Sequence, residues 1–406
     1  MIKKVRKEDL KLGMYIHDLN CGWMDHNFFR SRFMLRKEED LQKIHASGIT
    51  ELYIDTVKGI DADGPTQQEV EQKIHDSMTD IAAAAANLGH TTSHKEELAV
   101  AKAIHGEANK VIHSMLTDVR LGKQIQVERM EPVVAQVTDS ILRNQGTLVS
   151  LCRIKEGDTY TFQHSVSVCA LLVTFCRYMG MDRDQIQLAG MGGMLHDIGK
   201  MRVPDHILNK PGKLTDEEFG TMKSHVTLGL EVLQQTPGIS PTVFQVTGQH
   251  HEKFKGAGYP LGLADAEIST LGKMAAIVDV YDAITSNRVY HRGMEPGLAL
   301  SKLFEWGENH FDPALVQHFI QALGIYPVGS LVKLDSERLA VVVEQSEAGL
   351  LYPVVRVVFD IRRNQLVSPV DLDLSRPESG GDSIVGNENP ESWRIDPFRY
   401  LTLAVN

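Results

Sequence analysis

The sequence lacks long apolar runs and paired cysteine motifs. Its longest apolar run, VCALLVTFC at residues 168–176, is far too short to span a bilayer. The amino-terminal residues carry charge with no apolar run behind them, unlike a signal peptide. No CxxC pair occurs, so a disulfide framework is not expected from the four cysteines, Cys21, Cys152, Cys169 and Cys176. These absences predict a soluble cytoplasmic protein with reduced thiols and no membrane partner.

An excess of basic residues is also missing. The 406 residues include 42 Lys and Arg against 53 Asp and Glu, and the formal net charge is -11. This balance argues against a nucleic-acid partner, which a broad basic surface would attract. An anionic small ligand stays compatible with it, provided that metals or a few basic side chains make the site locally positive.

The chain is long enough for several domains, and its patterns change along its length. We expect a mainly α protein: a small α/β module at residues 1–62, a helical connector at 63–149, a helical-bundle domain at 150–325, and a small β-rich module with a flexible acidic segment at 326–406. The connector is also a candidate dimer contact.

Capping and proline signals support the helices of the third part. One helix should begin at a capping box and run close to Pro237-Gly238, and two others begin with a polar cap followed by proline. The residues that carry these signals are Thr215 with Glu218, Ser240 with Pro241, and Asp312 with Pro313. The segment at 271–287, LGKMAAIVDVYDAITSN, is apolar on nearly every side and predicts a buried central helix.

Histidine and aspartate residues recur through this helical part, one group to each helix or helix end. The groups follow one another at intervals of about one helix and one turn, so a bundle could aim them at one interior point. The residues are His164, His196, Asp197, His225, His250, His251 and Asp279. Any one histidine alone would more simply be a core or surface residue. Together they exceed what one ion needs and predict a dinuclear metal site, and a carboxylate as enclosed as Asp279 needs a partner or a metal.

Basic residues near these groups indicate a phosphate ligand. Lys200 follows the His-Asp pair by one helical turn, and Arg288 and Arg292 follow the apolar helix, where they could bracket an anion. The stretch GAGYP at 256–260 follows a helix rather than a strand, so it is no dinucleotide fingerprint. It is better explained as a tight turn that brings Tyr259 to the mouth of a site. Glu252 could position water or a ligand histidine, or could be an exposed helix-end carboxylate.

Several of these motifs together resemble the HD-GYP family of bacterial HD-superfamily phosphodiesterases. The resemblance covers about residues 150–325, and residues 1–60 less specifically resemble a small module often found ahead of such domains. The motifs that carry it are HDIGK at 196–200, VPDHILNKPGKLTDEEF at 203–219, HHEKFKGAGYP at 250–260 and VDVYDAITSNRVY at 278–290. It implies an all-α HD-superfamily domain that hydrolyses cyclic di-GMP by a two-metal-activated hydroxide to pGpG, GMP or both.

The same resemblance implies a role for each matching residue. The seven histidines and aspartates named above would be metal ligands, with Asp197 bridging two ions. Lys200 would contact the scissile phosphate, Arg288 and Arg292 the other phosphate oxygens, and the loop Gly258, Tyr259 and Pro260 would meet diguanylate cyclase (GGDEF) partners. Tyr160 stands where some members have a third-metal glutamate, so two ions are expected, Fe or Mn first, with Ni, Zn or Mg as alternatives. The rival functions are a non-catalytic cyclic di-GMP receptor or adaptor, and an HD-superfamily hydrolase of another nucleotide.

Overall fold

The computed structural model describes residues 1–21, 32–85, 88–153, 160–286, 293–346, 348–376 and 379–403, except for the side chains at 160, 161, 308 and 309. Helices dominate the middle of the chain and strands lie at its two ends, as predicted. No helix among these residues is both long and apolar enough to cross a membrane.

The amino-terminal module folds as a four-stranded sheet with one helix. Its strands are β1 (Ile2–Arg6), β2 (Tyr15–Asp18), β3 (Phe33–Met34) and β4 (Glu51–Asp55), in the sheet order β1-β4-β2-β3, and its helix is α1 (Glu38–Ala46). Alternate strand residues such as Ile16, Leu52 and Ile54 face inward, as the two-residue period of a strand requires. They form a small hydrophobic core of their own.

Thirteen further α-helices are described between the amino-terminal module and the second sheet, together with two 3-10 helices. The helices of the bundle are α2 (Gln67–Ala83), α3 (His94–Arg120), α4 (Val127–Arg143), α5 (Gln145–Cys152), α6 (Tyr160–Tyr178), α7 (Arg183–Leu195), α8 (Asp205–Leu208), α9 (Asp216–Lys223), α10 (His225–Gln234), α11 (Pro241–Gln249), α12 (Thr270–Thr285), α13 (Pro296–His310) and α14 (Pro313–Leu323). A 3-10 helix, Ile198–Arg202, follows α7, and another, Asp265–Glu267, precedes α12.

The expected caps begin three of these helices. The Thr215 side chain accepts from the backbone of Glu218 at α9, Ser240 caps α11 ahead of Pro241, and Asp312 caps α14. The apolar helix α12 is buried on most sides, as predicted. Helices α3, α4 and α5 pack on α6 and α7 and share one hydrophobic core with them, so the segment predicted as a connector is part of the bundle.

One predicted helix is two helices in the structure. The capping box at Thr215 begins α9, but the helix ends at Lys223, and α10 starts afresh at His225 after a turn at Ser224. The Ser224 hydroxyl donates to the Thr221 carbonyl at 2.6 Å, which satisfies one of the carbonyls that the ending helix leaves open. The prediction of a single helix was therefore wrong, and the break makes His225 a helix-terminal residue.

The carboxyl-terminal part is a five-stranded antiparallel sheet that lies between two hydrophobic cores. Its strands are β5 (Leu331–Leu334), β6 (Arg338–Ser346), β7 (Gly349–Asp360), β8 (Gln365–Asp373) and β9 (Ile384–Asn387), in the order β8-β7-β6-β5-β9, and it is followed by α15 (Pro390–Trp393) and α16 (Pro397–Leu401). Along β6, Ala340 and Val342 join the core of the bundle, whereas Val341 and Val343 face the opposite core with Tyr400. Strand β9 lies inside the segment predicted as flexible, where it pairs with β5.

A buried carboxylate joins the amino-terminal module to the bundle. The side chain of Glu305, on α13, is 4% exposed and forms an ion pair with Lys4 at 3.1 Å. It accepts hydrogen bonds from the Tyr53 hydroxyl at 2.7 Å and the Asn20 amide at 3.0 Å, and it also pairs with Lys302 on its own helix. Within the described part of the module, charge-assisted contacts therefore hold it against α13.

Candidate metal centre

Five helices deliver the seven predicted metal ligands to one buried point. His164 lies in the first turns of α6, and His196 and Asp197 directly follow α7. His225 is the first residue of α10, His250 and His251 follow the end of α11, and Asp279 lies within α12. All seven side chains are buried, with exposed fractions no higher than the 8% of His251. The structure therefore brings together the whole set that the sequence singled out.

Three of the histidines are fixed by the same local device. In each, the Nδ1 atom lies 2.8 Å from the backbone carbonyl three residues earlier: Gly193 for His196, Met222 for His225 and Thr247 for His250. A carbonyl can only accept, so Nδ1 carries the proton and Nε2 presents its lone pair to the centre. This is the ring orientation that metal-ligating histidines require.

Asp197 lies between two groups of histidines, one on each carboxylate oxygen. Its Oδ2 atom lies 3.3 Å from Nε2 of His196 and 3.6 Å from Nε2 of His164. Its Oδ1 atom lies 3.3 Å from Nε2 of His225 and 3.8 Å from Nε2 of His250. The two oxygens of one carboxylate thus face different histidine pairs, which is the arrangement of a carboxylate that can bridge two ions.

Asp279 spans the same two groups from the opposite helix. Its Oδ1 atom lies 3.0 Å from Nε2 of His164 and 3.7 Å from Nε2 of His196, and its Oδ2 atom lies 3.8 Å from Nδ1 of His251. Two groups of three residues each place their donor atoms within 4.8 Å of one another. One group is His164, His196 and Asp279, and the other is His225, His250 and His251. Asp197 lies against both.

The donor atoms suit divalent cations. The buried atoms His196 Nε2 and Asp197 Oδ1 have no hydrogen-bond partner among the described residues. Buried polar atoms without partners are costly, and here they point into a centre lined by imidazole and carboxylate, the ligands of Zn, Mn, Fe and Ni. A metal ion would satisfy these atoms, so the residues fit the group that the sequence predicts.

Burial sets the ionisation of the histidines. It lowers the pKa of His225 to about 4, against the opposing charge of Asp197, and it lowers the pKa of His250 to about 3 with help from His196. Burial, reinforced by His250, also lowers the pKa of His251 well below its ordinary value. These imidazoles are therefore neutral at neutral pH, the form that binds metals.

The carboxylates of Asp197 and Asp279 stay ionised in spite of burial. Burial opposes ionisation of Asp197, but the Lys200 ammonium and His196 hold the pKa of its carboxyl well below the usual range. Burial likewise opposes ionisation of Asp279, but its hydrogen bond to His164 keeps that pKa low. The pKa of His196 is raised, because the charges of Asp197 and Asp279 outweigh its desolvation.

Lys200 lies directly against the carboxylate of Asp197. It belongs to the 3-10 helix that follows Asp197, and its Nζ atom lies 2.5 Å from Asp197 Oδ2. Its side chain is 24% exposed, whereas that of Asp197 is 2% exposed. The ammonium therefore reaches the centre from the solvent side, where an anionic ligand would enter.

A glycine allows the two halves of the centre to approach each other. A side chain on Gly199 would overlap the His225 carbonyl and the backbone of Gly229, because the 3-10 helix packs directly on the start of α10. Only a residue without Cβ permits that approach. Gly199 thereby sets the distance between Asp197 and His225.

The loop after α11 folds back on the histidines. A Cβ on Gly258 would overlap the backbone of Glu252 and Lys253, and the amide of Tyr259 donates to the His251 carbonyl at 3.1 Å. The Tyr259 ring stacks on the His251 ring, with centroids 4.6 Å apart and planes at 27°, ahead of a cis bond to Pro260. Tyr259 therefore lines one side of the candidate metal centre, where the tight turn was predicted to place it.

Glu252 is not the exposed helix-end carboxylate that was one of the two alternatives, because it is only 3% exposed. Its carboxylate accepts from the backbone amides of Leu261 at 2.8 Å and Leu263 at 3.0 Å, and so it anchors the far side of the same loop. This contact could not be predicted, because both partners are backbone groups.

Asp282 is a site residue that the sequence analysis missed. Its Oδ2 atom lies 2.6 Å from Nδ1 of His164, and it is 2% exposed. The available signal was its spacing, three residues after Asp279 in an apolar helix, which places both carboxylates on one face. Arg288 and Arg292, predicted to bind phosphate, and the side chain of Tyr160 lie outside the described residues.

The chain matches a known domain family and is similar to proteins of named activity. The HD domain family matches residues 152–315, and a domain of unknown function (DUF3391) matches residues 2–130. A cyclic di-GMP phosphodiesterase of Pseudomonas aeruginosa is 40% identical over 402 residues, which cover 99% of this chain and 95% of that protein. The chain belongs to the HD-GYP family of HD-domain cyclic di-GMP phosphodiesterases.

Other relatives are similar over shorter stretches. A cyclic di-GMP phosphodiesterase of Thermotoga maritima is 30% identical over 230 residues, 55% of this chain and 62% of that protein. A 3′3′-cGAMP-specific phosphodiesterase of Vibrio cholerae is 38% identical over 135 residues, 33% of this chain and 31% of that protein. A solved HD-GYP-type protein of Bdellovibrio bacteriovorus aligns with 79% of this chain and 98% of its own, at 18% identity and a TM-score of 0.47.

Proposed function

We propose that this chain is a metal-dependent cyclic di-GMP phosphodiesterase that yields pGpG, GMP or both. The observation that carries the proposal is Asp197, whose two carboxylate oxygens each face a separate pair of histidines in one buried centre. The named activity of the Pseudomonas relative, which matches almost the whole chain, supports the choice of substrate.

The proposed ligands divide into two sets that share Asp197. His164, His196 and Asp279 would hold one divalent ion, and His225, His250 and His251 the other, with Fe or Mn expected first. When bound, the ions supply an activated water as nucleophile and neutralise charge on the phosphate. The neutral imidazoles of His225, His250 and His251 and the ionised carboxylates of Asp197 and Asp279 can bind metal without first losing a proton.

The remaining residues of the centre would bind and orient the substrate. Lys200 is placed to donate to a phosphate oxygen beside Asp197 and to stabilise the negative charge that develops there. Tyr259 would limit the space above His251 and exclude water from that side. Arg288 and Arg292 keep the phosphate-binding role expected from the sequence, as a proposal.

A second candidate substrate is 3′3′-cGAMP, because a 3′3′-cGAMP-specific relative is 38% identical over 33% of this chain. The two cyclic dinucleotides share both phosphodiester groups and differ in one base, so the proposed metal ligands do not distinguish them. A receptor that does not hydrolyse its ligand would be expected to lack one or more of the metal ligands. All seven proposed ligands are present in this chain, which favours a hydrolase.

Two further roles are proposed for surfaces. The loop Gly258, Tyr259 and Pro260 would meet GGDEF-domain proteins, since it is partly exposed at the mouth of the centre. The helices of residues 63–149 are a proposed dimer contact. The domain boundaries after residues 62, 149 and 325 are also proposed. Co-purification of a GGDEF protein with the wild type and its loss with Tyr259→Ala would test the first role. Sedimentation of the full chain would test the second.

The decisive experiment is turnover by purified protein loaded anaerobically with Mn²⁺ or Fe²⁺. We expect metal-dependent conversion of cyclic di-GMP, slower conversion of 3′3′-cGAMP, and no conversion by Asp197→Asn, which removes the charge but keeps the shape. Circular dichroism would show that the variant is folded. Tight binding of cyclic di-GMP without turnover under either metal would replace the hydrolase with a receptor.

A further inference from the structure

Lys223 occupies an unusual position beside the metal centre. It is the last residue of α9, two residues before His225, and is partly buried. Its Nζ atom lies 4.7 Å from the centroid of the Phe219 ring and 5.2 Å from that of the Tyr259 ring. A cation within about 6 Å of an aromatic ring is attracted to it. Two rings therefore hold this ammonium at the rim of the centre.

The charge of Lys223 is not balanced by a nearby carboxylate within the described part of the chain. Its contacts there are the two aromatic rings. Neighbouring lysines differ in this respect: Lys200 pairs with Asp197, and Lys210 pairs with Glu218 at 2.5 Å. Lys223 is thus a cation held in place at the rim with its charge available to an anionic ligand.

The Tyr259 ring contacts both Lys223 and two of the proposed metal ligands. The Tyr259 ring stacks on His251 at 4.6 Å and meets His225 edge-on at 6.4 Å, and it is also one of the two rings beneath Lys223. The ammonium consequently lies one aromatic ring away from the second histidine triad. Lys200 approaches through Asp197, on the bridging side. The two cations reach the centre from different elements.

A cyclic dinucleotide has two phosphodiester groups, and only the one that reacts can occupy the metal centre. The second carries a negative charge that must be matched when the ligand leaves water. We propose that Lys223 binds this second, non-reacting phosphate and so contributes to selection of cyclic dinucleotides over simple phosphodiesters. The inference rests on the proposed phosphodiesterase function and concerns substrate recognition only.

The test compares two substrates that differ in the second phosphate. Cyclic di-GMP has it, whereas bis(p-nitrophenyl) phosphate is a phosphodiester with a single phosphate. With metal-loaded full-length protein, Lys223→Gln should raise KM for cyclic di-GMP about 10-fold or more, the loss expected for one charge-assisted contact. Its kcat/KM for bis(p-nitrophenyl) phosphate should stay within about twofold of the wild type, since that substrate makes no such contact. Lys223→Arg keeps the charge and should retain most of the affinity.

Matched controls separate recognition from folding. Lys102→Gln removes one exposed charge on α3 and should change neither substrate. Metal content and the melting temperature of each variant show whether the centre is intact. If Lys223→Gln slows both substrates equally, Lys223 supports Tyr259 or His225 structurally and the inference is overturned. If neither substrate changes, it is overturned as well.

Failure of the function itself looks different. Wild-type protein that cleaves bis(p-nitrophenyl) phosphate but no cyclic dinucleotide would overturn the proposed phosphodiesterase function, and the role of Lys223 with it. Wild-type turnover of cyclic di-GMP combined with an unaltered KM in Lys223→Gln would overturn the role of Lys223 alone.

Discussion

The Nδ1 atom of His164 lies 2.6 Å from Oδ2 of Asp282, and the two side chains are 3% and 2% exposed. The other ring nitrogen of His164 faces Asp279, one helical turn earlier on α12. The Ser286 hydroxyl also contacts Asp282 Oδ2, at 3.3 Å. Two carboxylates from one helix therefore orient a single imidazole. Asp282 faces Nδ1 of His164, the ring atom that a backbone carbonyl contacts in His196, His225 and His250.

Replacement of Asp282 by asparagine should weaken the metal centre without removing a ligand. Carboxylates that orient a ligating histidine typically contribute 10–100-fold in metal affinity or activity, and we expect a loss of about that size. Metal titration monitored by turnover would show activity partly restored at high metal concentration. Asp184→Asn, on the exposed face of α7, is the matched control and should behave as the wild type. An unchanged metal affinity for Asp282→Asn would show that His164 needs no such partner.

The convergence of the seven histidines and aspartates could be predicted from the sequence, because they recur at intervals of about one helix and one turn. Asp279 was conspicuous as a charge in α12, and His250 follows a helix that begins with Ser240 and Pro241. The break at Ser224 could not be predicted, because the capping box at Thr215 fits one long helix equally well. Glu252 was equally hidden, since its partners are backbone amides brought near by the loop.

Which helices pack on one another could not be predicted from the sequence either. Residues 63–149 have the polar helical pattern of a connector, yet Val134 and Val137 of α4 lie in the core of the bundle. Their apolar stripe shows that the helix has a buried face, but it does not say which neighbour covers that face. Tertiary contacts of this kind decide where a domain ends.

Gly199 should not tolerate a side chain. In Gly199→Ala the new Cβ would overlap the His225 carbonyl and the Gly229 backbone, which cannot move away as a flexible side chain could. Overpacking of this kind costs about 1–3 kcal/mol in unfolding free energy and should also separate Asp197 from His225. Urea unfolding and metal content would measure the two effects.

The control for this prediction is another glycine in a helix nearby. Gly220 lies in α9, and a Cβ there would meet no atom within 4 Å. Gly220→Ala should leave activity unchanged and stabilise the protein by up to about 1 kcal/mol through helix propensity. Equal stability of the Gly199→Ala and Gly220→Ala variants would contradict the close approach.

Acidification should destabilise the metal-free protein from about pH 6.5 downward. In the unfolded chain a histidine takes up its proton near its ordinary pKa of about 6.5. In the folded protein the pKa of His225 is about 4 and that of His250 about 3, so the unfolded state binds more protons between these values. The free energy of unfolding must then fall as the pH falls, by about 1 kcal/mol per pH unit for each such histidine. The raised pKa of His196 opposes this in sign, but the lowered pKa of His251 adds to it.

Urea unfolding in the presence of a chelator at several pH values between 7.5 and 4.5 would measure that slope. These pH values run from about one unit above the ordinary histidine pKa of about 6.5 down to just above the folded pKa of His225, about 4. His225→Gln should flatten the slope, because it removes one of the groups whose pKa is lowered. A free energy of unfolding independent of pH over this interval would show that the histidines are protonated equally in both states.

Glu305→Gln should loosen the amino-terminal module from the bundle. The substitution keeps the size of the side chain but removes the buried counter-charge that Lys4 and Lys302 share, and Lys4 keeps only the more exposed Glu51, at 2.6 Å. Loss of a partner for a buried charged group costs about 1–3 kcal/mol. We therefore expect a lower melting temperature and faster hydrogen exchange in β4, where Tyr53 donates to Glu305. Glu38→Gln, on the exposed side of α1, should change neither. If β4 exchanged at the wild-type rate in Glu305→Gln, contacts other than those of Glu305 would hold the module against the bundle.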